Sequence, residues 1–395
     1  MRYQFGGYVL DSDAHRLTCD GVAVPVEPQV FDLLQLLAEN AGQLVSRDQI
    51  VDVVWNGRIV SESAISARIA AARKAVGDDG KSQAVIRTVA RRGLQMVAPV
   101  TTDTAPAHAA SDDTLRIRYA TSDEGKSLAY VITGQGPPVL RVGSLMTDIE
   151  LEWHVAIERP LFDKVGTHHS LLRYDPIGAG QSDTELEQVD FEVMADDLRA
   201  IADAAGIDRA VLWSETGGTL PAIHFAAKYP ERVSRFVCVG GYVEGRSRRA
   251  PTAEPDALRA MMAEGWSTQD SSFVKAYVMA YFPEATAGDL NEMSHLVQAA
   301  RSKQSMLKIR DASNDASVAH LLARIKCPTL VIHGRNDGVH PLSQGRKLAA
   351  GIENAELVVL ETANNMPLPN SPVWEQYVET LLAFMGEEGR SGVGA

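Results

Sequence analysis

No stretch of this 395-residue chain approaches the roughly 18 consecutive apolar residues that a membrane-crossing helix needs. Its first residues, MRYQFGGYVLDSD, lack the basic region and apolar core of an export signal. Both absences point to the cytoplasm and to no membrane partner. Cysteine is scarce as well. Cys19, Cys238 and Cys327 stand too far apart for a zinc-ligand cluster, and their odd number argues against a disulfide framework. They read as buried free thiols of a reducing compartment. No repeat at solenoid periods is visible. Nothing in the pattern asks for a metal or a cofactor, and none is expected.

What is present is an ordinary globular composition, 45% hydrophobic, 6% aromatic and 23% charged, in a chain long enough for more than one core. The net charge of −13 is unevenly spread. The first hundred residues hold 11 Lys and Arg against 11 Asp and Glu, so the whole acidic excess lies beyond residue 100. Residues 1–50 carry 3 basic and 7 acidic groups, whereas residues 51–100 carry 8 and 4. A domain polarised in this way can turn one side to a polyanion, while the acidic remainder is repelled by one. PVTTDTAPAHAASDD, residues 99–113, has the composition of a linker and separates residues 1–98 from a second domain over 114–390.

In the first domain, YQFGGYVLDSDAHRLTCDGVAVPV alternates apolar and polar residues around CDG, a hairpin signal. Val30, Leu33, Leu34 and Leu37 then recur at helical spacing up to Gly42, and Ser46 is placed to cap a second short helix. A third helix is expected from Ser61, its cap, to Gly77, with Ile65, Ile69, Ala72 and Val76 on one face. Two short strands around ARRG close the unit. This order, carried by FDLLQLLAENAGQLVSRDQI, VVWNGRIVSESAISARIAAARKAVGDD and VIRTVARRG, resembles the OmpR/PhoB-type winged-helix DNA-binding domain, an α+β winged helix-turn-helix, along residues 3–98.

In that family the third helix enters the major groove and the hairpin wing lies over the neighbouring backbone or minor groove. If the apolar face is the core, Ser63, Ala67, Ala70, Ala71 and Lys74 point outward with Arg68 and Arg73 on the flanks. With Thr88, Arg91 and Arg92 on the wing, these are the expected DNA contacts. Alanine can touch only a thymine methyl, so base reading is expected to be sparse and shape readout important.

Beyond residue 114 the pattern changes to LRIRYA, SLAYVIT, PVLRVG, SLLRYD, AVLWS, RFVCVG, TLVIHG and ELVVLE, separated mostly by helical stretches. Continuous apolar runs between helices imply a mostly parallel sheet covered on both faces. Eight such strands, the first two close together, resemble the α/β-hydrolase fold. LLRYDPIGAGQSD, AAKYPERVSRFVCVGG and CPTLVIHGRNDGVHP add to the resemblance, and a helical segment over about 246–320 stands where that fold carries a cap. Trp266, Tyr277, Tyr281 and Phe282 in the cap are candidates to line the pocket below it.

Hydrolysis on this fold needs a nucleophile on a tight turn, a histidine and an orienting acid. Two registers are open in WSETGG: one puts Glu215 at the nucleophile and the other Thr216. Proteins of this fold commonly have Tyr-Pro fourteen residues after the nucleophile, which with Pro230 favours Thr216. Asp337 in HGRNDGVHP stands where the resemblance expects the acid. Asn365 in LETANNMPLPNSPVW stands where it expects the histidine, and an amide cannot take a proton near neutral pH. His333 and His340 flank Asp337 and read as core or surface histidines. The whole chain is similar to regulators that fuse a winged helix to a hydrolase-like domain. The expectation is a one-component DNA-binding regulator that senses a small, partly apolar ligand through Ser144, Leu145, Glu215, Thr216, Gly217, Asn365, Trp266, Tyr277 and Tyr281. Homodimerisation and contact with RNA polymerase go with such a role. The alternative is a DNA-binding protein with residual esterase or lactonase activity through Thr216 or Glu215.

Overall fold

The computed structural model describes residues 2–11, 16–19, 22–24, 26–55, 60–89, 92–103, 115–249, 254–266, 268 and 271–386. The chain forms two compact units, residues 1–113 and 114–395. Arg91, the turn residues Asp20 and Gly21, and most of the expected linker lie outside the described residues.

The first unit opens with an antiparallel sheet of β1 (Arg2–Phe5), β2 (Tyr8–Asp11), β3 (Arg16–Cys19) and β4 (Val22–Val24). Strand β4 pairs with β3 through Cys19 and Val22, the hairpin that CDG implied. Three helices follow: α1 (Pro28–Glu39), α2 (Arg47–Trp55) and α3 (Glu62–Ala75). Pro28 begins α1, where its missing N–H is no loss. Ser46 and Gln49 cap α2 reciprocally, Gln49 N–H donating to Ser46 Oγ and Ser46 N–H to Gln49 Oε1. Ser61 accepts from Ala64 N–H at the start of α3. Ile65, Ala72 and Val76 are buried and Ile69 is half-buried, as their spacing required.

The wing is β6 (Ile86–Val89) and β7 (Gly93–Met96), with β5 (Leu44–Ser46) paired to β7. At Gly93 a Cβ would lie 1.9 Å from the Val45 carbonyl oxygen, so only glycine lets these strands meet. Residues Thr101–Asp103 are not free linker. They form β8, which pairs with β1 through Arg2, Tyr3 and Gln4 and adds an edge to the N-terminal sheet.

The second unit is an eight-stranded sheet in the order β16-β15-β14-β13-β11-β12-β10-β9. Its strands are β9 (Arg118–Thr121), β10 (Ser127–Thr133), β11 (Pro138–Val142), β12 (Ser170–Tyr174), β13 (Ala210–Glu215), β14 (Val233–Val239), β15 (Thr329–Gly334) and β16 (Ala355–Leu360). Pairs involving β10 are antiparallel and the rest are parallel. Neighbouring residues supply opposite cores: Val139, Trp213, Val237 and Leu330 face one side, and Leu140, Leu212, Phe236 and Val331 the other. Helices α5 (Phe191–Ala204), α6 (Thr219–Lys228) and α12 (Leu342–Gly351) cover the second face; α4 (Arg159–Gly166) and α13 (Trp374–Gly386) cover the first.

The expected cap is present as α7 (Arg246–Arg249), α8 (Glu254–Gly265), α9 (Ser272–Tyr281), α10 (Ala287–Ala300) and α11 (Lys303–Asp315). It shares the first core through Met262, Val274, Tyr277, Met293 and Met306. Arg301 ties the end of α10 to the sheet's rim by donating to the carbonyls of Leu145 and Ile177. The backbone N–H of Asn365 donates to the carbonyl of Tyr281, at 2.8 Å, at the end of α9.

Candidate functional site

Strand β13 ends at Glu215 with extended backbone, φ −132° and ψ 137°. Thr216 follows at φ +46°, a left-handed conformation that is a strained outlier for a β-branched residue. The turn runs at once into α6. A Cβ at Gly218 would lie 2.0 Å from the Gly143 carbonyl oxygen and 2.4 Å from that of Val142, so the backbone approach demands glycine. Thr216 therefore stands at the apex of the turn, flanked by small Ser214 and Gly218, while bulky Trp213 is fully buried below.

Above the turn lies a pocket of about 1020 Å³, counting its open mouth. Ser144, Leu145, Thr216, Gly217, Tyr277, Tyr281 and Phe282 line it. Three residues expected there do not. Glu215 points its carboxylate at Arg141, whose Nε and Nη2 donate to Oε2 at 2.9 and 2.7 Å. Trp266 is core, its indole N–H donating to the Arg301 carbonyl at 3.0 Å. Asn365 turns its amide away to Asp337.

Arg141 also reaches Glu152 at 3.0 Å and Glu158 at 3.3 Å, and Arg173 lies 3.5 Å from Glu152. All five side chains are buried. Loss of water drives the Glu215 carboxyl up against the pull of Arg141. The same loss, opposed by Arg141 and reinforced by Glu215 and Glu152, pushes Glu158 up to about 8.

Asp337, Asn365 and His340 form a second buried cluster. Asp337 Oδ1 accepts from the backbone N–H groups of Val339 and His340, both at 2.9 Å. Its Oδ2 accepts from Asn365 Nδ2 at 2.6 Å, and that amide also donates to the Gly240 carbonyl at 3.0 Å. His340 sits against the Gly240 carbonyl through Nδ1 at 2.9 Å and packs tilted on Tyr242 with ring centroids 4.2 Å apart. Burial, aided by Arg249, His333 and Arg246, pushes its pKa down to about 3 and keeps the ring neutral. His333 Nε2 meets the His340 carbonyl at 2.6 Å. Among the described residues no hydrogen bond joins either histidine to the Thr216 hydroxyl.

In the first unit, Ser63, Ala67, Lys74, Thr88 and Arg92 are exposed, as are Ser66, Ala70 and Arg87. Two of the expected contacts are committed within the unit. Arg68 donates to Gln29 and pairs with Glu27 at the start of α1. Arg73 donates to the Ile86 carbonyl and to Thr88 Oγ1, bracing the wing against α3. Ala71 is half-buried and packs on the core. Asp78, buried at the end of α3, accepts from the backbone of Ala84, Val85 and Ile86 at 2.8–3.0 Å. Burial opposes its charge, but these bonds and the Ser82 hydroxyl outweigh it and hold the carboxyl well below the usual range.

Residues 137–372 match the family described as alpha/beta hydrolase fold. The chain belongs to the α/β-hydrolase fold family. Residues 21–96 match the family described as transcriptional regulatory protein, C terminal, whose presence implies DNA binding. Among curated relatives of the hydrolase-fold unit, the 2-hydroxy-6-oxononadienedioate/2-hydroxy-6-oxononatrienedioate hydrolase of Paraburkholderia phymatum is 25% identical over 285 residues, 69% of this chain and 92% of that protein. Its counterpart from Klebsiella pneumoniae is 27% identical over 254 residues, 62% of this chain and 82% of that one. The solved enol-lactonase of Burkholderia xenovorans covers 68% of this chain and 100% of its own, with TM-score 0.55 and 24% identity, a likeness of fold.

The α/β-hydrolase frame also places at the pocket residues that the sequence did not single out for it, His340 among them having read as core or surface. Arg246, Arg249, Arg310, Tyr242 and His340 line the pocket. Nothing in helical periodicity singles out Arg310. Of the three cysteines, only Cys238 is buried; Cys19 and Cys327 are half-buried. No helix among the described residues is long and apolar enough to cross a membrane.

Proposed function

We propose that this chain is a one-component DNA-binding transcriptional regulator whose hydrolase-fold unit binds a small, partly apolar ligand without turning it over. The observation that carries this reading is the Asn365 amide, 2.6 Å from Asp337 where the family's histidine would sit. The triad positions then read Thr216, Asp337 and Asn365. An amide takes no proton near neutral pH, so the Thr216 hydroxyl has an orienting acid nearby but no base. What remains is binding apparatus. The backbone N–H groups of Gly217 and Ser144 can hold a carbonyl or carboxylate oxygen, whereas Leu145 donates its own N–H to Gly143.

The DNA-contacting set in this reading is Ser63, Ala67, Lys74, Thr88, Arg91 and Arg92, joined by exposed Arg87, with Arg68, Arg73 and Ala71 holding the helix and wing in place. A ligand regulates only by favouring one DNA-binding state over the other. Homodimerisation and contact with RNA polymerase belong to the same proposal.

The strained apex favours a second reading, in which Thr216 is a working nucleophile and the chain hydrolyses an ester or lactone. The names of its relatives point the same way. Glu215 has no part in it, because Arg141 holds its carboxylate. Purified full-length protein should show no turnover of p-nitrophenyl butyrate above buffer. Turnover that Thr216→Ala and Asp337→Ala abolish would overturn the sensor reading.

A further inference from the structure

The cap side of the pocket is cationic. Arg310 projects from α11 into the pocket with the residue only 8% exposed. Its Nε and Nη2 are buried, and neither has a hydrogen-bond partner among the described residues. Arg249 lines the same pocket; its Nη1 and Nη2 donate to the Val339 carbonyl, and its buried Nε has no partner among the described residues. Arg246 is the third cation on the wall. The acids nearby are taken: Glu244 pairs with Lys347 and Asp311 with Arg259, while Asp337 is bonded to Asn365. Glu152 and Glu158, which also reach the pocket, are held by Arg141.

A buried guanidinium edge without hydrogen bonds is costly, and because Arg310 faces the pocket, a ligand entering there can complete its edge. Nε and Nη2 lie on one edge of the guanidinium plane, and their two parallel N–H bonds match the two oxygens of a carboxylate. Val278, Phe282, Met293, Leu296, Val297 and Met306 supply an apolar wall, and Ser313 and Asn314 add polar groups beside Arg310 on the same helix. We infer that the pocket takes a small molecule with an apolar body and a carboxylate, the carboxylate binding edge-on to Arg310 with Arg249 and Arg246 beside it. Tyr242, Tyr277 and Tyr281 supply hydroxyls around the same subsite. This rests on the ligand-binding reading of the pocket and names the chemistry of its occupant.

The test uses full-length protein with octanoate and its uncharged counterpart octanamide as probes, followed by calorimetric titration and thermal melting. Octanoate should bind at least tenfold more tightly than octanamide and raise Tm with concentration. Arg310→Met should bring the two affinities together and leave the ligand-free Tm unchanged or higher, because it removes an unsatisfied buried charge. Arg310→Lys keeps the charge but not the paired edge, and should lose about tenfold in octanoate affinity. The inference is overturned if octanamide binds as well as octanoate, if neither binds at millimolar concentration, if Arg310→Met keeps the preference, or if it lowers the ligand-free Tm by several degrees as a structural strut would. Affinity for a duplex selected by the full-length chain, measured with and without octanoate, separates the two readings. A carboxylate preference with unchanged DNA affinity supports this subsite and counts against sensing.

Discussion

Replacing Thr216 by Ser and Asn365 by His together tests the proposal that the hydrolase-fold unit turns nothing over for want of a base. Asp337 Oδ2 lies 2.6 Å from Asn365 Nδ2. Histidine carries Nδ1 where asparagine carries Nδ2, so its N–H falls on the same carboxylate oxygen and Nε2 is left to face the turn. Serine in place of Thr216 removes the methyl that crowds a position at φ +46°. A positioned general base contributes about 10²–10⁴ in rate, or about 3–5 kcal/mol of activation free energy. Nucleophile and base act as a unit, so each single substitution should gain less than about tenfold and the pair at least about 100-fold. The assay is initial-rate hydrolysis of p-nitrophenyl butyrate at pH 7.5, with fluorophosphonate labelling of the introduced serine and melting curves for all four proteins. A folded double variant no faster than the parent would refute the reasoning, since something other than the base would then block chemistry.

Arg141→Met should lower the Tm of the hydrolase-fold unit by about 10 °C, because leaving buried Glu215 and Glu158 without their cation costs about 3–5 kcal/mol and each kcal/mol moves a domain of this size by a few degrees; differential scanning calorimetry checks it, and a shift under 2 °C would count against the network. Glu158 holds its proton up to about pH 8 in the fold, against an ordinary value of 4.5, so the folded state binds more protons between those values. Its contribution to stability is present below pH 4.5 and is lost as pH rises toward 8, and Glu158→Gln should flatten the fall in Tm over that window. Asp78 has the opposite sign: its depressed carboxyl contributes stability above about pH 4 that is lost on acidification, and Asp78→Ala should loosen the wing, read as faster amide exchange at Val85 and Ile86. Lys74→Ala and Arg92→Ala should each reduce the salt dependence of DNA binding by about one unit of slope, measured by fluorescence anisotropy from 50 to 300 mM salt, and an unchanged slope would remove them from the interface.

The eight strands were legible because buried parallel strands are apolar along their length. Each observed strand overlaps one of the eight runs, with ends moved by at most a few residues. The third helix was equally legible from Ile65, Ala72 and Val76. Side-chain destinations were not. Glu215 read as a pocket group because it adjoins Thr216 in sequence. A strand alternates its side chains, though, and the residue next to the apex points to the other side, where Arg141 on β11 waits 74 positions away. Arg68 and Arg73 looked like DNA contacts by their charge, yet Glu27 claims the first, and the Ile86 carbonyl and Thr88 hydroxyl claim the second. The linker lost Thr101–Asp103 to a sheet edge because an open row of backbone groups on β1 was available to pair.

By itself the sequence determined the two units, the order of strands and helices along the chain, and the presence of Thr216 and Asn365 at the positions where the hydrolase resemblance expects a nucleophile and a histidine. These follow from periodicity, composition and the chemistry of single residues, all local properties. Only the tertiary structure decided which charges meet. It drew Glu215 into a buried ion network, turned Asn365 onto Asp337, and brought Arg246 and Arg249 of α7 to one wall with Arg310 of α11. Hydrogen-bonding partners are chosen by proximity in space after the sheet and cap have packed, and no spacing along the chain encodes that choice.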